Sequence, residues 1–101
     1  MPIQTRCGAD GQTLVISIEG RFDFSTHQAF RDAYENGGDS ICNYVVDLSR
    51  TTYLDSSALG MLLLLRDHAG GDSSRISIEN CNSDVRRILS ISNFEQLFDI
   101  R

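Results

Sequence analysis

No lysine and no tryptophan occur in the 101 residues, and all nine basic side chains are arginine. Without lysine there is no Schiff-base chemistry, no Walker-type phosphate lysine and no lysine of the kind that response-regulator receivers use. Cysteine is scarce and odd in number: Cys7, Cys42 and Cys81 lie too far apart for a CxxC redox or zinc motif, and a disulfide framework is not available. That usage fits a reducing cytoplasm. The longest apolar run, Met61 to Leu65, falls far short of the ~20 residues that span a bilayer, and the first residues carry no signal-peptide apolar core. The expectation is a soluble, unexported, cytoplasmic chain without membrane insertion. Positive charge is also in deficit, with 9 basic against 14 acidic residues and a net charge of −5. Such a balance argues against nucleic acid as the main partner and for a basic or specifically complementary protein surface.

What is present is ordinary globular material. With 41% hydrophobic and 23% charged residues, the chain is neither disordered nor a coiled coil, and its length suits one domain over residues 1–101. Residues 3–7 suit a short edge strand before a turn at Gly8, Asp10 and Gly11. From Leu14 to Glu19 apolar and polar residues alternate, as in a strand covered on one face and wetter on the other. Ser25 and Gln28 have the spacing of a capping box, so a helix is expected from there to about Asn36, with Ala29, Phe30, Ala33 and Tyr34 inward and Gly37 and Gly38 ending it. Tyr44 to Leu48 reads as an inner strand, Ser49 to Leu54 as a loop, Asp55 to His68 as a second helix, and Arg75 to Glu79 as another strand after a Gly70-Gly71-Asp72 turn. Ser83 is placed to cap a third helix over 84–91, with Val85, Ile88 and Leu89 inward. Leu97 to Ile100 closes the chain as a short strand or docked tail. Strands alternating with helices predict an α/β fold: a mixed, mostly parallel sheet of four to five strands, with three to four helices mainly on one face and an antiparallel edge.

The second helix carries the chemistry. At about 100° per residue, Ala58, Leu62, Leu65 and Ala69 form its core stripe, and Ser56, Gly60 and Asp67 lie opposite. Ser57 turns away beside Met61 and Leu64, so Ser56 is the serine that faces outward. Helical side chains lean toward the N-terminus, and the residue that would cover Ser56 is therefore the one at i+4. That residue is Gly60, which has nothing to cover it with. A mid-helix glycine costs about 1 kcal/mol relative to alanine, and two requirements could keep it there: close approach of a neighbouring loop, or access of another protein's backbone to the Ser56 hydroxyl. Leu63 and Leu64 would then form an apolar collar.

The motif DSSALG over 55–60, preceded by YVVDL at 44–48 and GRFD at 20–23, resembles the STAS domains of bacterial anti-sigma factor antagonists, along nearly the whole chain. The resemblance implies that Ser56 is phosphorylated by an anti-sigma factor that is also a serine kinase. It further implies that a PPM-type phosphatase removes the phosphate, and that the unphosphorylated form binds the anti-sigma factor and frees the sigma factor. Asp23 and Asp55 match acidic positions flanking that site, Gly60 matches the motif's last glycine, and Ala58 replaces a commoner glycine. Asp23, Asp55, Ser57, Gly60, Leu63 and Leu64 are accordingly the expected partner-binding residues. The stretch from Gly11 to Glu35 is similar to a branch linked to histidine-phosphotransfer control of motility and biofilm. The family also implies no enzyme activity, metal or cofactor.

Other readings stand beside this one. Ser56 is also a favoured helix cap. A serine hydrolase lacks its GxSxG elbow, and neither His27 nor His68 has triad partners; both read as solvated. Asp23 and Asp47 near strand ends take loop and cap roles rather than a receiver-type pocket. Arg86 and Arg87 read as a solvated helix face, with an anion or an acidic partner as the alternative, and Cys42 and Cys81 as buried small hydrophobes. The functional alternative is a non-phosphorylated STAS-type subunit of a larger complex, such as a lipid-transport assembly.

Overall fold

The computed structural model describes residues 3–37 and 41–101, apart from the Asp72 side chain. Five strands form one sheet in chain order: β1 (Ile3–Cys7), β2 (Thr13–Phe22), β3 (Asn43–Leu54), β4 (Ile76–Glu79) and β5 (Asp99–Ile100). β1 is antiparallel to β2 and the remaining pairs are parallel. Parallel neighbours need crossovers, and α1 (His27–Glu35), α2 (Ser56–His68) and α3 (Ser83–Ile91) supply them. The expected antiparallel edge is thus β1, joined to β2 by a turn in which Asp10 Oδ1 accepts from the N–H groups of Gln12 and Thr13 at 2.9 and 3.1 Å.

Alternation decides which face is covered. Leu14, Ile16 and Ile18 of β2, Tyr44, Val46 and Leu48 of β3, and Ile76 and Ile78 of β4 are buried. They share a single core with Phe30 and Tyr34 of α1, Ala58, Met61, Leu62 and Leu65 of α2, and Val85 and Leu89 of α3. Their neighbours Val15, Ser17, Val45, Asp47, Ser77 and Glu79 are only half-buried on the opposite face. The helices therefore cover one side, as the strand pattern predicts. Among the described residues no helix is long and apolar enough to cross a membrane.

Several local expectations are corrected. The 49–54 segment is strand, not loop: β3 continues to Leu54 beside β2, with register shifts between Ser17 and Glu19 and between Gly20 and Arg21. Each shift inserts a residue into β3 relative to β2, so burial passes from Leu48 to Thr51 to Leu54 at steps of three instead of two. Period-two alternation ends there although pairing does not. At the first shift the buried Thr51 hydroxyl donates to Ile18 O at 2.7 Å, satisfying a carbonyl in the disrupted ladder.

The capping box at Ser25 and Gln28 does not form. Asp23 caps a short 3₁₀ turn over Phe24–Thr26, α1 begins after it, and Gln28 donates instead to Asp32 at 2.9 Å. Ala29 is exposed while Phe30 and Tyr34 are buried. Gly37 follows α1 in a turn, and Gly38 lies outside the described residues. Asn82, not Ser83, caps α3: its Oδ1 accepts from Val85 N at 2.8 Å, while its Nδ2 donates to Thr51 O at 3.1 Å. Cys42 is exposed, against expectation, while Cys81 is half-buried and packs against the core.

Candidate functional site

Both shifts in β3 place its last residues at the end of the sheet from which α2 starts. Asp55, in an extended conformation (φ −121°, ψ −174°), is the N-cap. Its Oδ1 accepts from the N–H groups of Ser57 and Ala58, both at 3.1 Å, and from the Ser57 hydroxyl at 2.6 Å. The Ser57 hydroxyl and these two amides hold the Asp55 carboxyl below its ordinary value, against the opposing charge of nearby Asp23. Asp55 is thus a carboxylate with one oxygen fully engaged in the helix end.

That arrangement separates the two serines. Ser57 is half-buried and bound into the cap, whereas Ser56, the first helical residue, is exposed and its hydroxyl has no hydrogen-bond partner among the described residues. Capping is therefore not the role of Ser56; the aspartate before it performs that task. The Ser57 and Ala58 amides are already taken by Asp55, and it is the positive dipole end of the helix that tolerates added negative charge here.

Gly60 is one turn further along the helix, and among the described residues no atom beyond its chain neighbours and the adjacent helix backbone falls within 4 Å of where a Cβ would stand. Close approach of an intramolecular loop does not explain the glycine. Further along the face Leu63 and Leu64 are 42% and 59% exposed, beside the exposed Asp67. Ala58, where the family more commonly has glycine, is wholly buried in the core, so its methyl points away from this surface.

Asp23 stands at the C-terminal end of β2 on the same rim. Ser25 donates to its Oδ1 through both hydroxyl and N–H, and Arg21 Nε donates to its Oδ2 at 3.2 Å. The Ser25 hydroxyl, then Arg21, lower its carboxyl below the usual range. The Arg21 guanidinium also sits 4.2 Å from the ring centroid of Tyr53 on the paired strand. Phe24, 67% exposed and stacked on His27 at 4.6 Å, completes the rim. Phe24 and Tyr53 are not among the residues expected from sequence: an aromatic in a strand-to-helix link is the available signal for the first, and Tyr53 lies in the 49–54 segment whose strand character the pattern does not show. Asp47 is elsewhere, on the open sheet face, accepting from Ser49 N and Asn80 Nδ2. Among the described residues no three His, Cys, Asp or Glu side chains converge as metal ligands.

The resulting surface offers one unused hydroxyl, two engaged carboxylates and a discontinuous apolar collar. Among the described residues no base is hydrogen-bonded to the Ser56 hydroxyl, and Asp55 Oδ1 is taken up by the helix cap.

Comparisons place the geometry among known proteins. Residues 5–99 match the family model described as "Mlab, STAS domain". A STAS-domain containing protein of Pseudomonas aeruginosa (strain UCBPP-PA14) is 64% identical over 100 residues, covering 99% of each chain. Among solved structures, the Bacillus anti-sigma factor antagonist SpoIIAA in its unphosphorylated form superposes with a TM-score of 0.81 at 18% identity, over 98% of this chain and 87% of that one. An anti-sigma factor antagonist from Mycobacterium paratuberculosis gives 0.76 at 22% identity, over 97% and 84%. At those identities the shared feature is the fold.

Proposed function

The chain belongs to the STAS-domain family, and from that premise we propose that it is an anti-sigma factor antagonist whose binding is switched by phosphorylation of Ser56. The observation that carries the reading is the Ser56 hydroxyl: exposed at the first position of α2, released from capping by Asp55, and left uncovered by Gly60. In the unphosphorylated state the surface formed by Asp23, Asp55, Ser57, Gly60, Leu63 and Leu64 binds the anti-sigma factor and frees the sigma factor. A serine kinase transfers the γ-phosphoryl group of ATP to Ser56 Oγ, and a PPM-type phosphatase hydrolyses the ester. The protein is a substrate and a binding module, and the reacting machinery belongs to its partners.

The energetics are those of a charge placed at an interface. A phosphate adds about −1.5 to −2 charges beside Asp55 and Asp23. The helix end accommodates it, so the fold persists. A close-packed partner does not: a penalty of roughly 3 kcal/mol lowers affinity more than a hundredfold.

Incubation with a cognate kinase and ATP, read by intact mass, should add one phosphate to the parent and none to Ser56→Ala. Ser56→Asp should fold normally and bind the anti-sigma factor over a hundredfold more weakly, whereas Ser56→Ala should bind constitutively. Equal binding by Ser56→Asp in a titration would refute the switch. The second reading is a non-phosphorylated STAS-type subunit of a larger complex, such as a lipid-transport assembly. Failure of the candidate kinases to modify Ser56 would favour it.

A further inference from the structure

The outer face of α3 takes no part in the surface around Ser56. With Val85 and Leu89 buried in the core, helical spacing turns Ser83, Arg86, Arg87, Ser90 and Ile91 outward, and these five residues line a shallow depression of about 480 Å³. Ile91 is 75% exposed, more than any other large apolar side chain among the described residues. Neither Arg86 nor Arg87 has an ion-pair or hydrogen-bond partner among those residues, Asp84 on the same helix included. Elsewhere arginine is largely matched: Arg21 pairs with Asp23, Arg31 with Glu35, Arg50 with Glu19 and Arg101 with Asp99. Arg6 and Arg75 also lack such a partner among the described residues, but each stands alone, whereas Arg86 and Arg87 are adjacent and lie beside a bare isoleucine in a chain of net charge −5.

We propose that this face of α3 is a second docking surface, for an acidic amphipathic segment of another protein. Carboxylates of that segment meet Arg86 and Arg87, whose planar forks suit bidentate pairing, and an apolar side chain covers Ile91. The composition of the face selects this occupant. A simple anion would make no use of Ile91. A nucleic acid or an anionic bilayer presents many charges to a protein that is itself strongly negative, and two arginines do not offset that repulsion. A short segment bearing a few carboxylates confines its charge to the place where the arginines stand. Because Ser56 lies on a different helix, docking on α3 is independent of its phosphorylation state.

The test is a titration of the ¹⁵N-labelled full chain with a short synthetic amphipathic helix of glutamate and leucine, followed by amide shifts. The expected result is a saturable perturbation centred on residues 83–91. It should weaken by about tenfold or more in the Arg86→Glu, Arg87→Glu double variant and also weaken in Ile91→Ser, with Ser56→Asp behaving as the parent. All these side chains are exposed, and far-UV circular dichroism of each variant confirms folding. Unmoved α3 amides, or an equal response to the same helix with lysine replacing glutamate, would overturn the proposal. So would an effect of Ile91→Ser no larger than that of Ser90→Ala, which would leave bare charge attraction. Stronger perturbation by phosphatidylglycerol vesicles would assign the face to lipid. The same shifts on raising protein concentration alone would assign it to a second copy. Loss in Ser56→Asp would merge it with the Ser56 surface.

Discussion

Ser56 and Ser57 are chemically identical neighbours separated by one hydrogen bond. The Ser57 hydroxyl donates to Asp55 Oδ1 at 2.6 Å and helps hold the cap, while Ser56 has no such tie. Chemical denaturation should therefore distinguish them: Ser57→Ala is expected to cost about 1 kcal/mol, and Ser56→Ala to stay within about 0.5 kcal/mol of the parent. Gly60 yields a sharper test because its stability and its proposed role point in opposite directions. It sits inside a helix with open space where a methyl group would go, so Gly60→Ala should raise stability by up to about 1 kcal/mol. If the glycine is kept for a partner's approach, the same variant should bind the anti-sigma factor more weakly by calorimetry. Unchanged affinity would remove Gly60 from the binding surface. The outward direction of Ser56 was legible from helical periodicity alone; its freedom from capping was not, because aspartate and serine are both favoured caps and stand side by side here.

At the scale of elements, the sequence located α1 to α3 and β1 to β4, left the 97–100 segment open between strand and docked tail, and placed the boundaries less well; the errors have causes. Asp23 displaced Ser25, and Asn82 displaced Ser83, as the residue whose side chain accepts from the first turn. Adjacent polar candidates compete for one cap, and the winner is set by the direction in which the strand delivers the chain. For Asn82 that direction is fixed by a long-range bond, Nδ2 to Thr51 O, which only the assembled sheet provides. Asn82→Ala should consequently cost about 1–2 kcal/mol, and Ser83→Ala much less, in paired thermal melts; the reverse ranking would restore Ser83 as the cap. The loss of β3 at Ser49 has a different origin. Two inserted residues changed the burial period from two to three, and a period-two pattern cannot register a strand that bulges twice. The same bulges bring the end of β3 to the rim where Tyr53 faces Arg21, so the fault in the pattern and the position of the site share a cause.

For the molecule as a whole, the acid limb of stability follows from four carboxylates. Asp10, Asp23, Asp47 and Asp55 all have pKa values lowered from 3.8 by native hydrogen bonds. At Asp47 burial acts the other way and is outweighed by the Ser49 and Asn80 donors. A carboxyl whose folded value is depressed contributes stability above its unfolded pKa and loses it as pH falls through the folded one. Denaturant midpoints should hold steady near neutrality and decline below about pH 4; a midpoint that rises on acidification would contradict the sign. What the sequence determined by itself is what local periodicity and short motifs encode: an α/β chain, a sheet covered on one face, a second helix with one serine outward, and the family likeness that runs through DSSALG. Burial of one stripe and exposure of the other require no knowledge of distant residues. Tertiary structure decided which polar residue capped α2, α3 and the 3₁₀ turn before α1, where β3 ended, and that among the described residues no neighbour fills the space above Gly60. Those outcomes depend on groups brought together from positions far apart in the chain, such as Thr51 with Ile18 and Asn82 with Thr51, and a linear pattern carries no record of such meetings.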